Sequence, residues 1–161
     1  IERHAAILRP LSGAGGSLNV GDAVYTALDS FVLNQADFRV SGLALSTSAD
    51  SGSGYQLLCR RVGVGNQCYV AGRAIQNWGG DTNIGGADVK IYHGILYVRI
   101  TRISNTTWRY DLSNNGVSWV LGTIFTWSYE PTHVGFVESN WNKTTQSVTS
   151  YEFLRRQSGV S

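Results

Sequence analysis

Two segments of the sequence, residues 76–83 and 138–142, combine a tryptophan with carboxylate and amide side chains. Flat aromatic rings pack against the C–H faces of sugars, and planar polar groups bind sugar hydroxyls. We therefore predict that both segments contact a glycan, with a tryptophan that only anchors its loop as the alternative. The predicted ligand-binding residues of the two segments are Trp78, Asp81, Asn83, Asn140 and Trp141.

A second candidate site lies on one face of a predicted three-stranded unit. An odd, three-residue loop between residues 97–103 and 107–112 places Val98 beside Leu112, whereas an even loop would place Val98 against Asp111. A one-residue slip exchanges the two faces, so the apolar pattern selects the odd loop. The opposite face is then polar, and a plain solvent-exposed surface is the alternative to a ligand groove. The residues of this face that we predict to bind ligand are Tyr97, Arg99, Arg109 and Asp111.

The next hairpin is predicted from Asn115-Gly116, because Asn-Gly is the strongest sequence signal for a two-residue type I′ turn. That turn places Leu112 opposite Trp119 on the apolar face. Trp119, like Trp108, is therefore expected in the core.

The two cysteines predict one cross-strand contact. If Gly63-Val64 forms a two-residue type II′ turn, Cys59 falls opposite Cys68 in a non-hydrogen-bonded pair. Such pairs have Cα atoms about 4.5 Å apart, at the short end of what a disulfide accepts. A Cys59–Cys68 disulfide would favour an extracellular location. Two buried thiols are the alternative.

The acidic residues do not form the pattern expected of a glycosidase. A retaining enzyme needs two carboxylates about 5–5.5 Å apart, which on one strand means alternate residues. No two acidic residues of the chain are spaced in this way. The segment Ser51-Gly-Ser-Gly54 is a polar turn with no following helix, so it is not a nucleophile elbow. We therefore predict a protein that is not an enzyme.

Charge and hydropathy narrow the set of partners. The net charge of +2, from 13 basic and 11 acidic residues, is too balanced for a nucleic-acid interface. No apolar stretch approaches about 18 residues, so we predict no membrane insertion. The loop at 81–88 carries oxygen ligands suited to Ca²⁺, but it lacks the EF-hand spacing, and turn formation explains it equally well. We predict no metal and no cofactor, with calcium as an alternative use of that loop.

The element pattern is all-β. A low charged fraction of 15%, with 19 Gly and 8 Tyr in 161 residues, is typical of a β protein with many turns. No window of eleven or more residues carries a helical stripe. We expect an N-terminal strand or extended arm with a glycine-rich linker over residues 1–17 and a single domain over 18–161. Strands are predicted near 3–9, 30–34, 37–45, 54–62, 65–74, 88–92, 95–103, 107–114, 117–126, 133–139 and 148–156.

Several of these strands resemble those of concanavalin A-like lectin and glucanase jelly rolls. The pattern of that family is an L-R-I-x-R strand, a turn, an aromatic-x-aromatic strand and an S-x-(D/N)-G-x-x-W segment, and residues 97–119 resemble it, with Val98 in place of the leucine. Residues 132–137 and 151–154 are similar to the last two strands of that family. Within it, the chain resembles the small non-catalytic modules found beside β-xylosidases and other secreted enzymes. The resemblance implies a two-sheet antiparallel jelly-roll sandwich that takes ligands on its concave face or at rim loops.

Together, these features predict a non-catalytic, lectin-like carbohydrate-binding module. It would recognise a glycan or cell-surface polysaccharide from an extracellular position, either on a secreted protein or as a phage head or tail appendage on a virion. The alternative is a structural or decoration module that packs on capsid or tail proteins, or forms an oligomer, without binding sugar. A glycoside hydrolase is the least favoured function.

Overall fold

The computed structural model describes residues 2–14, 16–32, 39–49, 53–64, 67–76, 88–89, 95–141, 147–151 and 154–160. Within these residues the secondary structure is almost entirely strand, and the helical part is a single 3₁₀ turn, Leu11–Ala14. The strands are β1 (Glu2–Pro10), β2 (Ala23–Val32), β3 (Arg39–Ser46), β4 (Tyr55–Val64), β5 (Gln67–Gln76), β6 (Asp88–Val89), β7 (Leu96–Arg102), β8 (Thr107–Ser113), β9 (Val120–Thr126), β10 (His133–Trp141), β11 (Ser147–Tyr151) and β12 (Arg155–Gln157).

The strands form two antiparallel sheets. Sheet 1 has the order β1-β10-β3-β4-β5-β6, and sheet 2 has the order β11-β2-β7-β8-β9, with β12 also paired to β2. Strands distant in the sequence are neighbours in space, as β1 and β10 are, which is the connectivity of a jelly roll. The predicted two-sheet jelly-roll sandwich is confirmed.

Two strand predictions differ from the structure. β2 begins at Ala23 rather than near residue 30. Ala23 and Ala27 lie on the same face of β2, and both are fully buried in sheet 2. Because alanine has low β-propensity, these residues do not predict a strand from the sequence. The single strand predicted over 148–156 is two strands, β11 and β12, which pair with successive parts of β2.

The N-terminal strand is part of the sandwich. β1 pairs with β10 from Glu2 opposite Trp141 to Pro10 opposite His133, and it forms an edge of sheet 1. Leu8 packs against a buried cluster of that sheet. The domain division at residue 17 stays a prediction, whereas residues 2–10 have the hydrogen-bonded pairing of an integral strand.

The inner faces of both sheets supply the main core. Trp108, Leu57 and Leu96 are each fully buried there, which confirms the prediction for Trp108. The ring of Tyr110 lies against Gly72 of β5 and Gly122 of β9, and a Cβ atom on either glycine would overlap it. Glycine at these two positions therefore lets one aromatic ring contact both sheets.

Sheet 1 is also buried on its outer face. Ala44, Leu58, Ile75 and Val137 form a second apolar cluster, and each is at most 3% exposed. These residues alternate with core residues along their strands, as Leu58 does between Leu57 and Cys59. Strands covered on both faces have continuous apolar runs rather than alternation.

The predicted disulfide is wrong. β4 continues through Val64, which pairs with Gln67, so the register places Cys59 opposite Gly72 and Cys68 opposite Gly63. Four strand positions, about 13 Å, separate Cys59 from the position opposite Cys68, well beyond the reach of a disulfide. Cys59 is a buried free thiol, and burial together with the nearby Asp111 carboxylate raises its pKa.

Candidate functional site

The four predicted binding residues of the polar face lie together on the outer face of sheet 2. Tyr97 and Arg99 belong to β7, and Arg109 and Asp111 belong to β8. Val98 is opposite Leu112, so the odd loop selected from the apolar pattern is confirmed. Arg99 is directly opposite Asp111 on the other face of the pair.

Asp111 is held by two arginines. Its Oδ2 atom accepts hydrogen bonds from Arg99 Nε at 3.2 Å and Nη2 at 2.9 Å, and from Arg109 Nε at 3.1 Å. Asp111 is 3% exposed and Arg99 is 7% exposed. Two guanidinium groups on one carboxylate leave one excess positive charge. Charge-assisted bonds of this kind keep the side chains in one geometry, so this part of the face is filled rather than open.

The loop between β8 and β9 differs from its prediction. Ser113 Oγ accepts the backbone N–H groups of Asn115 and Gly116, and Asn115 Oδ1 accepts those of Val117 and Ser118. These side-chain bonds stabilise a longer loop, residues 114–119, in place of the two-residue type I′ turn.

The register of β9 changes with the loop. Leu112 lies opposite Val120, not Trp119, and a bulge at Gly122 shifts the pairing again. Gly116 has φ +72°, and the Tyr97 ring occupies the space where its Cβ would lie. The predicted register is therefore wrong by one residue, which exchanges the two faces at Trp119.

Trp119 consequently lies on the polar outer face and not in the core. Its indole ring covers the Arg99 guanidinium, with 4.2 Å between the Arg99 Cζ atom and the ring centroid. The ring also meets Tyr25 of β2 edge to face, with centroids 6.0 Å apart at 82°. Trp119 therefore reaches back from the start of β9 across β8 and β7. We call Trp119, Arg99, Asp111, Arg109 and Tyr25 the Trp119 platform.

The Trp119 platform offers an aromatic surface beside polar donors. Arg99 covers one face of the indole, and since Trp119 is only half-buried, part of the ring stays accessible. Trp119 and Tyr25 are half-buried, and the Arg109 side chain is 19% exposed. A partly buried guanidinium under an aromatic ring gains cation–π energy of about 0.5–2 kcal/mol, which holds the ring flat. Such a surface can bind a ligand.

The structure does not describe the side chains of the other predicted binding residues. Trp78, Asp81 and Asn83 lie outside the described residues. Asn140 and Trp141 end β10 opposite Arg3 and Glu2 of β1, and only their backbone is described. Gln76, which ends β5, and Trp141 lie at opposite ends of sheet 1, since β5 and β10 run in opposite directions.

The three acidic side chains that the structure describes are each held by arginine. Asp22 accepts a hydrogen bond from Arg156, Asp111 pairs with Arg99 and Arg109, and Glu130 pairs with Arg102. In the described part of the chain, no group of three His, Cys, Asp or Glu side chains could hold a metal ion. The predicted calcium loop, 81–88, lies almost wholly outside that part. Among the described residues, no helix is long and apolar enough to span a membrane.

The strand order is that of a two-sheet jelly-roll β-sandwich, and comparison with known structures identifies the same fold. No protein-family model and no curated protein sequence matches the chain. Solved structures do match. The CBM2 module of the evolved Dit of Lactobacillus casei BL23 phage J-1 has a TM-score of 0.58 at 11% identity, over 99% of this chain and 70% of that one.

Two further structures have the same architecture. The potassium-bound carbohydrate recognition domain of Emp46p has a TM-score of 0.57 at 9% identity, covering 99% of this chain and 79% of that one. Congerin II liganded with lactose has a TM-score of 0.52 at 12% identity, covering 95% and 100%. At these identities the likeness shows the fold alone. The chain has the same jelly-roll sandwich fold as these structures.

Sequence reasoning missed Trp119 and Tyr25 as site residues. Trp119 was assigned to the core because the Asn115-Gly116 turn signal set its register. Ser113, two residues before Asn115, was the available contrary signal, since serine and asparagine side chains compete with ladder hydrogen bonds. Tyr25 lay in a segment with no strand prediction.

Proposed function

We propose that the protein is a non-catalytic, lectin-like module that binds a glycan on the Trp119 platform. The observation that carries the proposal is the indole of Trp119, which covers Arg99 with one face and leaves part of the ring accessible. A pyranose ring packs its C–H groups on such a face. Arg109 supplies N–H donors on the same side of sheet 2 for the sugar hydroxyls.

The structural neighbours support a carbohydrate ligand by their own descriptions, which name a carbohydrate-binding module, a carbohydrate recognition domain and a lactose complex. One of them belongs to a phage, which supports a place on a virion as well as on a secreted protein. An extracellular or virion-surface location, and kinship with the modules beside β-xylosidases, are parts of this proposal. The residues that remain proposed as additional glycan contacts are Trp78, Asp81, Asn83, Tyr97, Asn140 and Trp141.

A non-catalytic role is supported by the described carboxylates. Glycoside hydrolysis needs two carboxyl groups on either side of one bond. Asp22, Asp111 and Glu130 are instead each held by arginine. No two of these three carboxylates share an arginine partner.

A glycan array probed with the purified chain, with Ca²⁺ and separately with EDTA, tests the proposal. We expect saturable binding to one glycan class and at least a tenfold loss in Trp119→Ala. Leu121→Ala is the matched control, since Leu121 is an exposed neighbour on the same face. If no glycan on the array gives a binding signal, the glycan-binding role is ruled out. If binding survives Trp119→Ala but is lost in Trp78→Ala or Trp141→Ala, the protein binds glycan at the segment of that tryptophan and not on the Trp119 platform.

One observation favours the alternative of a structural module that packs on a partner. Val117, Leu121 and Ile124, in and beside the edge strand β9, are 81%, 53% and 56% exposed. Exposed apolar side chains along an unpaired edge suit a protein interface. Size-exclusion chromatography with light scattering distinguishes the two functions. A stable oligomer that Leu121→Lys disrupts, together with a silent glycan array, would favour the structural module.

A further inference from the structure

A cleft opens at the end of the sandwich where β1 ends and β10 begins. Its volume is about 440 Å³, and it lies between the segment after β1 and the segment before β10. Clefts of roughly 300–1,000 Å³ take small ligands in other proteins. The side chains that the argument uses are those of Pro10, Ser12, Ser17, Glu130, Pro131 and His133.

The two walls of the cleft are fixed by backbone hydrogen bonds. Leu11 N–H donates to the Thr132 carbonyl at 2.8 Å, and Thr132 N–H donates to the Ser46 carbonyl at 2.9 Å. The chain has two prolines, and both line this cleft. Proline locks φ near −65°, so the walls are rigid before any ligand arrives. A preformed site loses less conformational entropy on binding.

Glu130 places a fixed carboxylate in the cleft. Its two oxygens accept hydrogen bonds from Arg102 Nη1 at 2.8 Å and Nη2 at 2.7 Å. Arg102 is only 8% exposed, and its Nη1 also donates to the Leu18 carbonyl at 2.6 Å. The Glu130 side chain is 51% exposed. The carboxylate is therefore held from behind by a buried arginine while its free lone pairs face the open side.

The charge in the cleft is balanced, which selects the class of ligand. Arg102 neutralises Glu130, so neither a free cation nor a free anion finds an excess of opposite charge there. Hydroxyl groups bind such a carboxylate well, because they donate to its remaining lone pairs. Ser12 and Ser17 add hydroxyls, and the His133 Nδ1 atom is within 2.8 Å of Thr132 Oγ1. Pro10, which is exposed, offers C–H surface to the flat side of a ring.

We propose that this cleft binds one neutral pyranose residue, as a second sugar site independent of the Trp119 platform. The two sites use opposite faces of β7, since Arg99 belongs to the outer face and Arg102 alternates with it on the side of the buried Ile100. They also differ in recognition, because the cleft uses a carboxylate and Pro10 where the platform uses an indole. An experiment can therefore disprove one of the two sites and leave the other in place.

The test is a titration of the ¹⁵N-labelled full chain with methyl glycosides of mannose, glucose, galactose and fucose, followed by ¹H–¹⁵N spectra. Each is added to about 50 mM, because a lone monosaccharide commonly binds with a millimolar Kd, equivalent to about −4 kcal/mol. We expect saturable shifts of the Leu11, Ser12, Thr132 and His133 amides with at least one glycoside. No saturable shift of these amides with any of the four overturns the proposal.

Variants separate the cleft from the platform. Ser12→Trp narrows the cleft from an exposed position and should weaken binding at least tenfold, whereas the matched Ser12→Ala should bind nearly as the parent does. Glu130→Gln should weaken binding severalfold, and Trp119→Ala should leave the cleft shifts unchanged. Thermal unfolding of each variant checks that it folds. Binding unaffected by both Ser12→Trp and Glu130→Gln overturns the proposal, and equal shifts with methylammonium chloride would identify a cation site instead. Shifts confined to the platform support only the first site.

Discussion

The outer faces of the two sheets are stabilised in different ways. On sheet 1 the described outer-face cluster is apolar, and its members Ala44, Leu58, Ile75 and Val137 are at most 3% exposed. On sheet 2 the corresponding face carries a buried ion pair under an aromatic ring. Apolar burial is non-directional, whereas the ion pair fixes particular atoms. Sheet 1 therefore gains stability from its outer face, and sheet 2 gains a surface of defined geometry.

This difference bears on where a ligand can bind. A face whose side chains are already buried offers them to no ligand. The outer face of sheet 2 keeps Trp119, Tyr25 and Arg109 half-buried, so part of each remains accessible. In the described outer faces, the side chains of the Trp119 platform are held in place by hydrogen bonds and ring contacts and are also partly accessible to a ligand.

Removing the carboxylate beneath the platform is expected to have the largest effect. Asp111→Asn leaves the Arg99 guanidinium, at 7% exposure, without its counter-charge. Breaking a buried pair in this way costs about 3–5 kcal/mol. Urea unfolding followed by tryptophan fluorescence measures the loss in the free energy of unfolding.

Glu130→Gln is the matched control for that measurement. Glu130 also pairs with an arginine through two hydrogen bonds, but its side chain is 51% exposed. Because Glu130 is half exposed and the buried Arg102 also donates to the Leu18 carbonyl, we expect a clearly smaller loss for Glu130→Gln than for Asp111→Asn. If the two variants lose equal stability, the ion pair on sheet 2 is solvated, and the contrast drawn between the two faces is mistaken.

Truncating the outer-face cluster of sheet 1 should have the next largest effect. Leu58 is 1% exposed, and Leu58→Ala should cost about 3 kcal/mol through lost burial and the cavity left behind. Leu121→Ala is the control on the outer face of sheet 2, since Leu121 is 53% exposed and should change stability by about 0.5 kcal/mol or less. A loss for Leu58→Ala no larger than that for Leu121→Ala would mean that sheet 1 is not covered on its outer face.

The predictable parts of the fold were those in which side-chain periodicity decides between alternatives. Val98 and Ile100 alternate with Arg99 and Thr101, so only one register of β7 against β8 buries the apolar residues. The turn at residues 104–106 followed from that register. The all-β class and the jelly roll followed from such runs and from the strand motifs of residues 97–119.

The failures occurred where a local hydrogen bond or the position of a turn sets the register. Asn115-Gly116 predicted a two-residue turn, but the Ser113 and Asn115 side chains cap a longer loop. Trp119 therefore moved from the expected core to the outer face. Gly63-Val64 predicted a hairpin turn, but both residues are paired within β4, and the apolar periodicity did not exclude the turn. Four of the nine predicted site residues meet on sheet 2, but their ion pairing depends on side-chain geometry that the pattern does not encode.

The smallest predicted effect concerns Asp22, whose contribution depends on pH. Burial alone would raise the pKa of Asp22, but hydrogen bonds from the Asn19 backbone, Arg156 and Ser158, with the charge of Arg156, outweigh it and lower the pKa. A carboxyl group with a lowered pKa stabilises the folded state above its unfolded pKa of about 3.9. That stabilisation is lost as the pH falls through the lower, folded pKa.

Asp22→Asn should therefore lower the free energy of unfolding by about 1.5 kcal/mol at pH 7, where the wild-type carboxylate is charged and hydrogen-bonded. The difference from wild type should shrink below about pH 4, as the native carboxyl group becomes protonated. Gln157→Ala, an exposed uncharged change in β12, should give a difference that does not vary with pH. Urea unfolding at intervals between pH 7 and 2.5 measures both. A constant deficit for Asp22→Asn over this range would show that Asp22 acts through its shape and neutral hydrogen bonds, and that its ion pair with Arg156 adds no stability.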